Sequence, residues 1–116
     1  MRKGISIEEI KLGEGASAGR GDTVTIRYDG FLRRGDAFQR GAVESFKLGG
    51  RQVIAGLEYG VEGMRAGGRR RIRVAPHLGY GDRGVPGVVP ANALLTFDVE
   101  LLEVEEGGRE SSSGAC

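Results

Sequence analysis

The sequence predicts an α+β domain, because one amphipathic helix lies between segments that alternate like strands. In the stretch Phe46 to Met64, Val53, Ile54, Leu57, Val61 and Met64 recur at the three-and-four spacing that lines up one side of a helix. From Thr23 on, Val24, Ile26 and Tyr28 alternate with Thr25, Arg27 and Asp29, the period of a half-buried strand. Near the other end Leu95, Phe97, Val99 and Leu101 alternate with Thr96, Asp98 and Glu100 in the same way. The helix therefore has a sheet to cover. Gly56, Gly60 and Gly63 interrupt it, each costing roughly 1 kcal/mol against alanine in a helix interior. Either the helix packs so closely on the sheet that side chains are excluded, or it also floors a cavity.

Composition narrows the function classes. A chain of 116 residues makes one domain, able to bury its own core without a metal or disulfide. Its 22 glycines follow no three-residue period and 28% of residues are charged, which argues against a collagen-like or low-complexity chain. Seventeen Lys and Arg against sixteen Asp and Glu leave a charge of +1, so no global field favours nucleic acid or an anionic membrane. No apolar run could span a bilayer, and the start, MRKGISIEEI, lacks the hydrophobic core of a signal peptide. A cytoplasmic location is the expectation. Cys116 is the one cysteine and cannot form an internal disulfide.

Taken in order, Ile5, Ile7, Ile10 and Leu12 read as an edge strand running into the glycine-rich GEGASAGRGD. Ser6 and Glu9 also have capping-box spacing, but the apolar run that should follow is cut at Gly13. Tyr28 falls on the core side of its strand; a buried phenol needs a hydrogen-bond partner, so it is a core anchor or a cavity wall with a polar tip. Gly30 and RRGDAF predict a bend and a turn, with Gln39 to Ser45 short and polar after them. Arg65, Arg69, Arg70, Arg71 and Arg73 form a basic run, either a phosphate or nucleic-acid patch or a strand with Ile72 and Val74 inward. The strand reading is preferred, because Asp98 and Glu100 on a neighbouring strand could face Arg69, Arg71 and Arg73, each pair contributing about 0.2 to 1 kcal/mol. Leu102 directly after Leu101 shifts the alternation and predicts a bulge or bend.

All three prolines, Pro76, Pro86 and Pro90, fall in APHLGYGDRGVPGVVPANA. Gly79, Gly81 and Gly84 spell GxGxxG, but Pro86, Gly87 and Pro90 forbid the helix that a dinucleotide site requires. What remains is a structured loop with Tyr80 and an apolar pair, Val88 and Val89, that suits a binding lip. His77 has no partner at metal spacing, and no nucleophile has an adjacent base. Neither a metal nor a cofactor is expected.

YDGFL at Tyr28 to Leu32, then Gly35 and Phe38, FKLGGRQVIAGLEYGVEGMRAGG and LGYGDRGVPGVVPANALLTFDVELLEV occur in an order that resembles the FKBP-type peptidyl-prolyl cis-trans isomerases, the macrolide-binding immunophilins. The resemblance runs from about Ile7 to Glu105. It implies an antiparallel sheet of about five strands wrapped around one short helix, with an isomerase domain at 1–105; the tail at 106–116 lies outside it and, from its small polar residues, is expected to be disordered. The resemblance also implies roles. Tyr28, Phe38 and Phe97 correspond to aromatic pocket walls, Gln39 stands where an aspartate is usual, and Tyr80 matches a donor to the substrate's amide oxygen. For substrate binding, Val53 and Ile54 match the helix entrance, whose second amide donates to a bound carbonyl; Leu57 matches the floor, Val88 and Val89 the lip, and Phe46 a neighbouring pocket position.

Such a pocket needs no nucleophile. Amide resonance sets a rotation barrier of roughly 18 to 20 kcal/mol, and water stabilises the polar planar form. An apolar pocket that strips this water and grips the proline ring favours the twisted amide, each 1.36 kcal/mol giving about tenfold in rate. Three positions depart from the family pattern: Gln39 for aspartate, Leu57 for a frequent tryptophan, and Glu44 where another pocket aromatic is common. The segment Gln39 to Ser45 is also shorter than in small single-domain members. A neutral glutamine loses charge-assisted bonding, so isomerisation is expected to survive while macrolide affinity falls by on the order of 1 to 3 kcal/mol.

The expected function is that of a monomeric prolyl isomerase assisting protein folding at exposed X-Pro bonds of peptides or unfolded chains, with no nucleic-acid or membrane partner. The alternative is a non-catalytic peptide-binding or chaperone module of the same fold. Nucleic-acid binding through the arginines is a third reading, and it requires steep salt dependence.

Overall fold

The alternation from Thr23 becomes β2 (Thr23–Phe31), with Val24 and Ile26 buried on one face and Arg27 exposed on the other. In the computed structural model, which describes residues 4–107, it joins β1 (Ile5–Lys11), β3 (Ala37–Lys47), β4 (Arg69–Val74) and β5 (Leu95–Glu105). The five make one antiparallel sheet in the order β1-β4-β5-β2-β3, which puts the last strand in the middle. One helix, α1 (Ala55–Val61), lies against it, and a single 3-10 turn spans Pro76–Leu78. No helix among the described residues is long and apolar enough to cross a membrane. From residue 108 on, the tail expected to be disordered lies outside the described residues, Cys116 included. Gly107 itself is tied down, donating its amide to Asp22 Oδ1 at 3.1 Å.

Two expectations about elements need correction. The segment Gln39 to Ser45 is not a short polar connection but the body of β3, whose residues 37–47 pair with β2 through Tyr28↔Ala42, Ile26↔Glu44 and Val24↔Phe46. It is polar because β3 is an edge strand, largely exposed. The stretch Phe46 to Met64 is likewise not one helix. Phe46 and Lys47 end β3, and the chain then turns at Gly49 and Arg51, with φ of +89° and +60°, before seven helical residues begin. At the other end Gly63, at φ +89°, leaves the helix in the left-handed region that glycine adopts freely.

Close packing explains the helix glycines. A Cβ on Gly56 would collide with Val74 Cγ1, and one on Gly60 would lie 2.5 Å from Ile72 Cδ1. Because the helix backbone rests directly on β4, Leu57, Val61 and Met64 reach the buried face of the sheet and meet Ile72, Val74, Leu95 and Phe97 there.

The basic run is divided by strand alternation. Arg71 pairs with Asp98 of β5 at 2.9 Å and lies 4.0 Å from Glu8 of β1, while Arg69 stands opposite Glu100. Arg70 takes the same side of β4 as Ile72 and Val74. It donates from Nε to Glu9 at 2.9 Å and from Nη1 to the carbonyls of Gly60 and Glu62 at 2.8 and 3.1 Å, so a cation closes the C-terminal end of the helix. The bulge falls where the doubled leucine predicts it: Thr25 pairs with Glu103 and Ile26 with Leu101, leaving Leu102 over. On the edge strand β1, Ile7 and Ile10 remain exposed.

Candidate active site

The helix start, the inner face of the sheet and the proline-rich loop meet at a cleft of about 410 Å³. Tyr28 comes from β2, Glu44 from β3, Val53, Ile54 and Leu57 from the entry into and first turn of α1, and Tyr80 from the loop. Arg51 and Gln52 complete the lining. Gln52 is held in the turn before the helix, its Oε1 accepting from the Lys47 amide at 3.0 Å. Arg51 is held there too, its amide donating to Glu58 Oε2 at 2.9 Å.

Beneath the lining is an aromatic stack. The Phe97 ring, 1% exposed, meets Tyr28 edge-on at 5.8 Å and 69°, and Phe38 at 5.9 Å and 81°. Both are the T-shaped arrangement that ring quadrupoles favour. Phe38 reaches Phe97 only because residue 30 is glycine: a Cβ there would lie 2.6 Å from Phe38 Cζ. Burial raises the pKa of the Tyr28 phenol, with Glu44 and then Tyr80 adding to it; burial and then Glu44 raise that of Tyr80. Both are therefore neutral donors. Neither phenol hydrogen-bonds to a described residue, and no described group accepts from the Ile54 amide at the helix start. These three unused donors stand above an apolar floor, with the Arg51 guanidinium and the Gln52 NH2 beside them in the lining.

The remaining candidates lie at varying distances from it. Leu57 is buried at the cleft floor, and Phe38 belongs to the layer below through Phe97. Phe46, 2% exposed, packs in the core opposite Val24 and does not line the cleft. Gln39 is exposed on β3, opposite Gly30, and is also outside the lining. Val88 and Val89 diverge: a bridge between Val85 and Val89 turns Val89 inward to 4% exposure and leaves Val88 at 46%. These valines line a neighbouring groove with Leu32 and Val85. Sequence reasoning did not place Glu44, Arg51 or Gln52 among the site residues. For Glu44 the signal was present, since it has the same parity as Phe46 on one strand and so faces inward.

On the opposite sheet face, Arg27, Asp29, Arg69, Asp98 and Glu100 surround a depression of about 190 Å³. Its walls are charged and could not strip water from an amide. No group of three His, Cys, Asp or Glu able to hold a metal occurs among the described residues.

Comparison with known proteins agrees with this architecture. The family model for FKBP-type peptidyl-prolyl cis-trans isomerase matches residues 14–102. FK506-binding protein 4 of Aspergillus fumigatus is 48% identical over 106 residues, covering 89% of this chain and 22% of that protein. FK506-binding protein 4 of Rhizopus delemar is 46% identical over 108 residues, covering 90% of this chain and 28% of that one. The chain thus spans 22% and 28% of the length of these two curated relatives. Among solved structures, FkpA from Escherichia coli superposes with a TM-score of 0.78 at 34% identity, over 92% of this chain and 54% of that one. With the family model covering most of its length and the sheet, helix and cleft arranged as described, the chain belongs to the FKBP-type peptidyl-prolyl cis-trans isomerase family.

Proposed function

We propose that this domain catalyses cis-trans isomerisation of X-Pro bonds in peptides or unfolded chains, as a monomer and without a cofactor. The observation that carries the reading is the pairing of an apolar floor, formed by Val53, Ile54 and Leu57 and flanked by the aromatic stack, with three unused donors, Tyr28, Tyr80 and the Ile54 amide. The proline ring sits on Leu57, with Val53 and Ile54 beside it and Tyr28 backed by Phe97 and Phe38. There the amide loses the water that stabilises its planar form. As the C–N bond turns, the Ile54 amide holds one substrate carbonyl and the Tyr80 hydroxyl donates to the amide oxygen. Such donors are preorganised and cost no solvent rearrangement. Val88 forms an outer lip, while Val89 and Phe46 support the walls from the core. The relatives are named for binding FK506, and we propose a macrolide of that kind as a ligand of the same cleft.

NMR exchange spectroscopy on X-Pro peptides tests the catalytic claim. Interconversion should speed up at micromolar protein and should fall by tenfold or more, about 1.4 kcal/mol of barrier, in Leu57→Ser, with peptide affinity reduced. Peptide binding without any acceleration would reject catalysis and leave a non-catalytic peptide-binding module of the same fold.

A further inference from the structure

Resting on the isomerase reading above, we propose that Glu44 is a specificity-determining residue that makes the cleft prefer peptides carrying lysine or arginine next to the X-Pro bond. Glu44 is the cross-strand partner of Ile26, a fully buried residue, so its side chain leaves β3 on the inner face of the sheet. Most positions on that face are apolar. Glu44 is an exposed carboxylate on that face and forms part of the cleft wall with Tyr28, Leu57 and Tyr80. Among the described residues it makes no ion pair and no side-chain hydrogen bond.

A bound peptide would take water away from this carboxylate. With a neutral peptide the anion loses solvation and gains nothing, and an acidic side chain adds repulsion. A cationic side chain restores a partner. The Glu44 charge already reaches into the site, since it raises the pKa of Tyr28 and of Tyr80. Arg51 is the competing charge in the same lining, but it makes no ion pair with Glu44 and does not contribute at either phenol. Arg33, Arg34 and Arg83 border the adjoining grooves, so they bear on residues farther from the proline.

The experiment is NMR exchange on two peptide sets, Ala-Xaa-Pro-Phe and Ala-Ala-Pro-Xaa, with Xaa as Lys, Gln or Glu. The proteins are wild type, Glu44→Gln and Arg51→Gln, at low and high salt. In at least one set, wild-type kcat/KM should favour Lys over Gln by about twofold to fivefold, as for a partly screened ion pair, with Glu below Gln. The order should flatten in Glu44→Gln and in high salt, and persist in Arg51→Gln. Equal rates for the three peptides, or a preference unchanged in Glu44→Gln, would overturn the proposal. If no peptide is accelerated, the isomerase reading fails by itself. Chemical-shift titration with the same peptides then decides on Glu44, because the same affinity order is required.

Discussion

Tyr28 and Tyr80 meet a ligand as neutral phenols because burial and the Glu44 charge both raise their pKa from 10.0. The sign follows from linkage: the proton is held more tightly in the folded site, so what the neutral phenols contribute is complete below about pH 10 and lost as pH rises through the raised values. Isomerase rates should therefore stay level in tyrosine-dependent terms between about pH 7 and 9 and decline only in stronger alkali. Ultraviolet titration provides the check. Both phenols should ionise above free tyrosine in the wild type and at lower pH in Glu44→Gln; ionisation at the free value would contradict the role given to burial. Gln39 carries a second expectation. Its exposed position outside the cleft lining reduces what a charge there could add. Gln39→Asp should change FK506 affinity by no more than about 1 kcal/mol, the scale of an exposed pair. This is less than the sequence alone suggests, and calorimetric titration of both proteins would measure it. Parity and helix spacing put Tyr28 and Leu57 on inward faces, but it was the resemblance to the family that assigned Tyr28, Leu57 and Tyr80 to one pocket, and all three line the cleft. Glu44 was visible only as a departure from a pattern. Its inward direction depended on a strand that polar residues concealed.

At the scale of the element, alternation revealed β2, β4 and β5, since each has one buried and one solvated face. It did not reveal β3, where the edge position leaves most residues exposed on both sides. The helix was placed correctly but drawn too long, because its apolar spacing continues into turns whose positive φ values no spacing can show. Its glycines are the clearest case of packing overriding propensity. An alanine at either position would gain about 1 kcal/mol of helix propensity and meet a β-branched side chain with little room to move. Overpacking of this kind costs typically 1 to 3 kcal/mol. Gly56→Ala should lower stability in urea unfolding by up to about 2 kcal/mol net. Gly60→Ala should be harmful in the wild type and cost less when introduced into Ile72→Ala, which removes the colliding atoms at the expense of a cavity of its own. An equal cost of Gly60→Ala in both backgrounds would mean that contact with β4 is not what excludes the side chain.

For the molecule as a whole, the strand order β1-β4-β5-β2-β3 means that neighbours in space are mostly distant in sequence. β5 holds the two halves of the sheet together, pairing with β4 on one side and β2 on the other, and it carries Phe97 beneath the cleft. A chain ending at Asn92 should show no cooperative urea transition and no peptide binding. Adding a synthetic peptide of residues 93–107 should restore near-ultraviolet circular dichroism. If the shortened chain folded cooperatively without it, β5 would not have the joining role its position implies. The middle strand is also the last of the five to be made on the ribosome. While it is being synthesised, the nascent chain holds β2 and β4 without their shared partner, both with open edges able to pair elsewhere. A domain of a family that acts on proline bonds thus has no cleft of its own until its fifth strand is made, and until then β2 and β4 keep edges open to pairing with other chains.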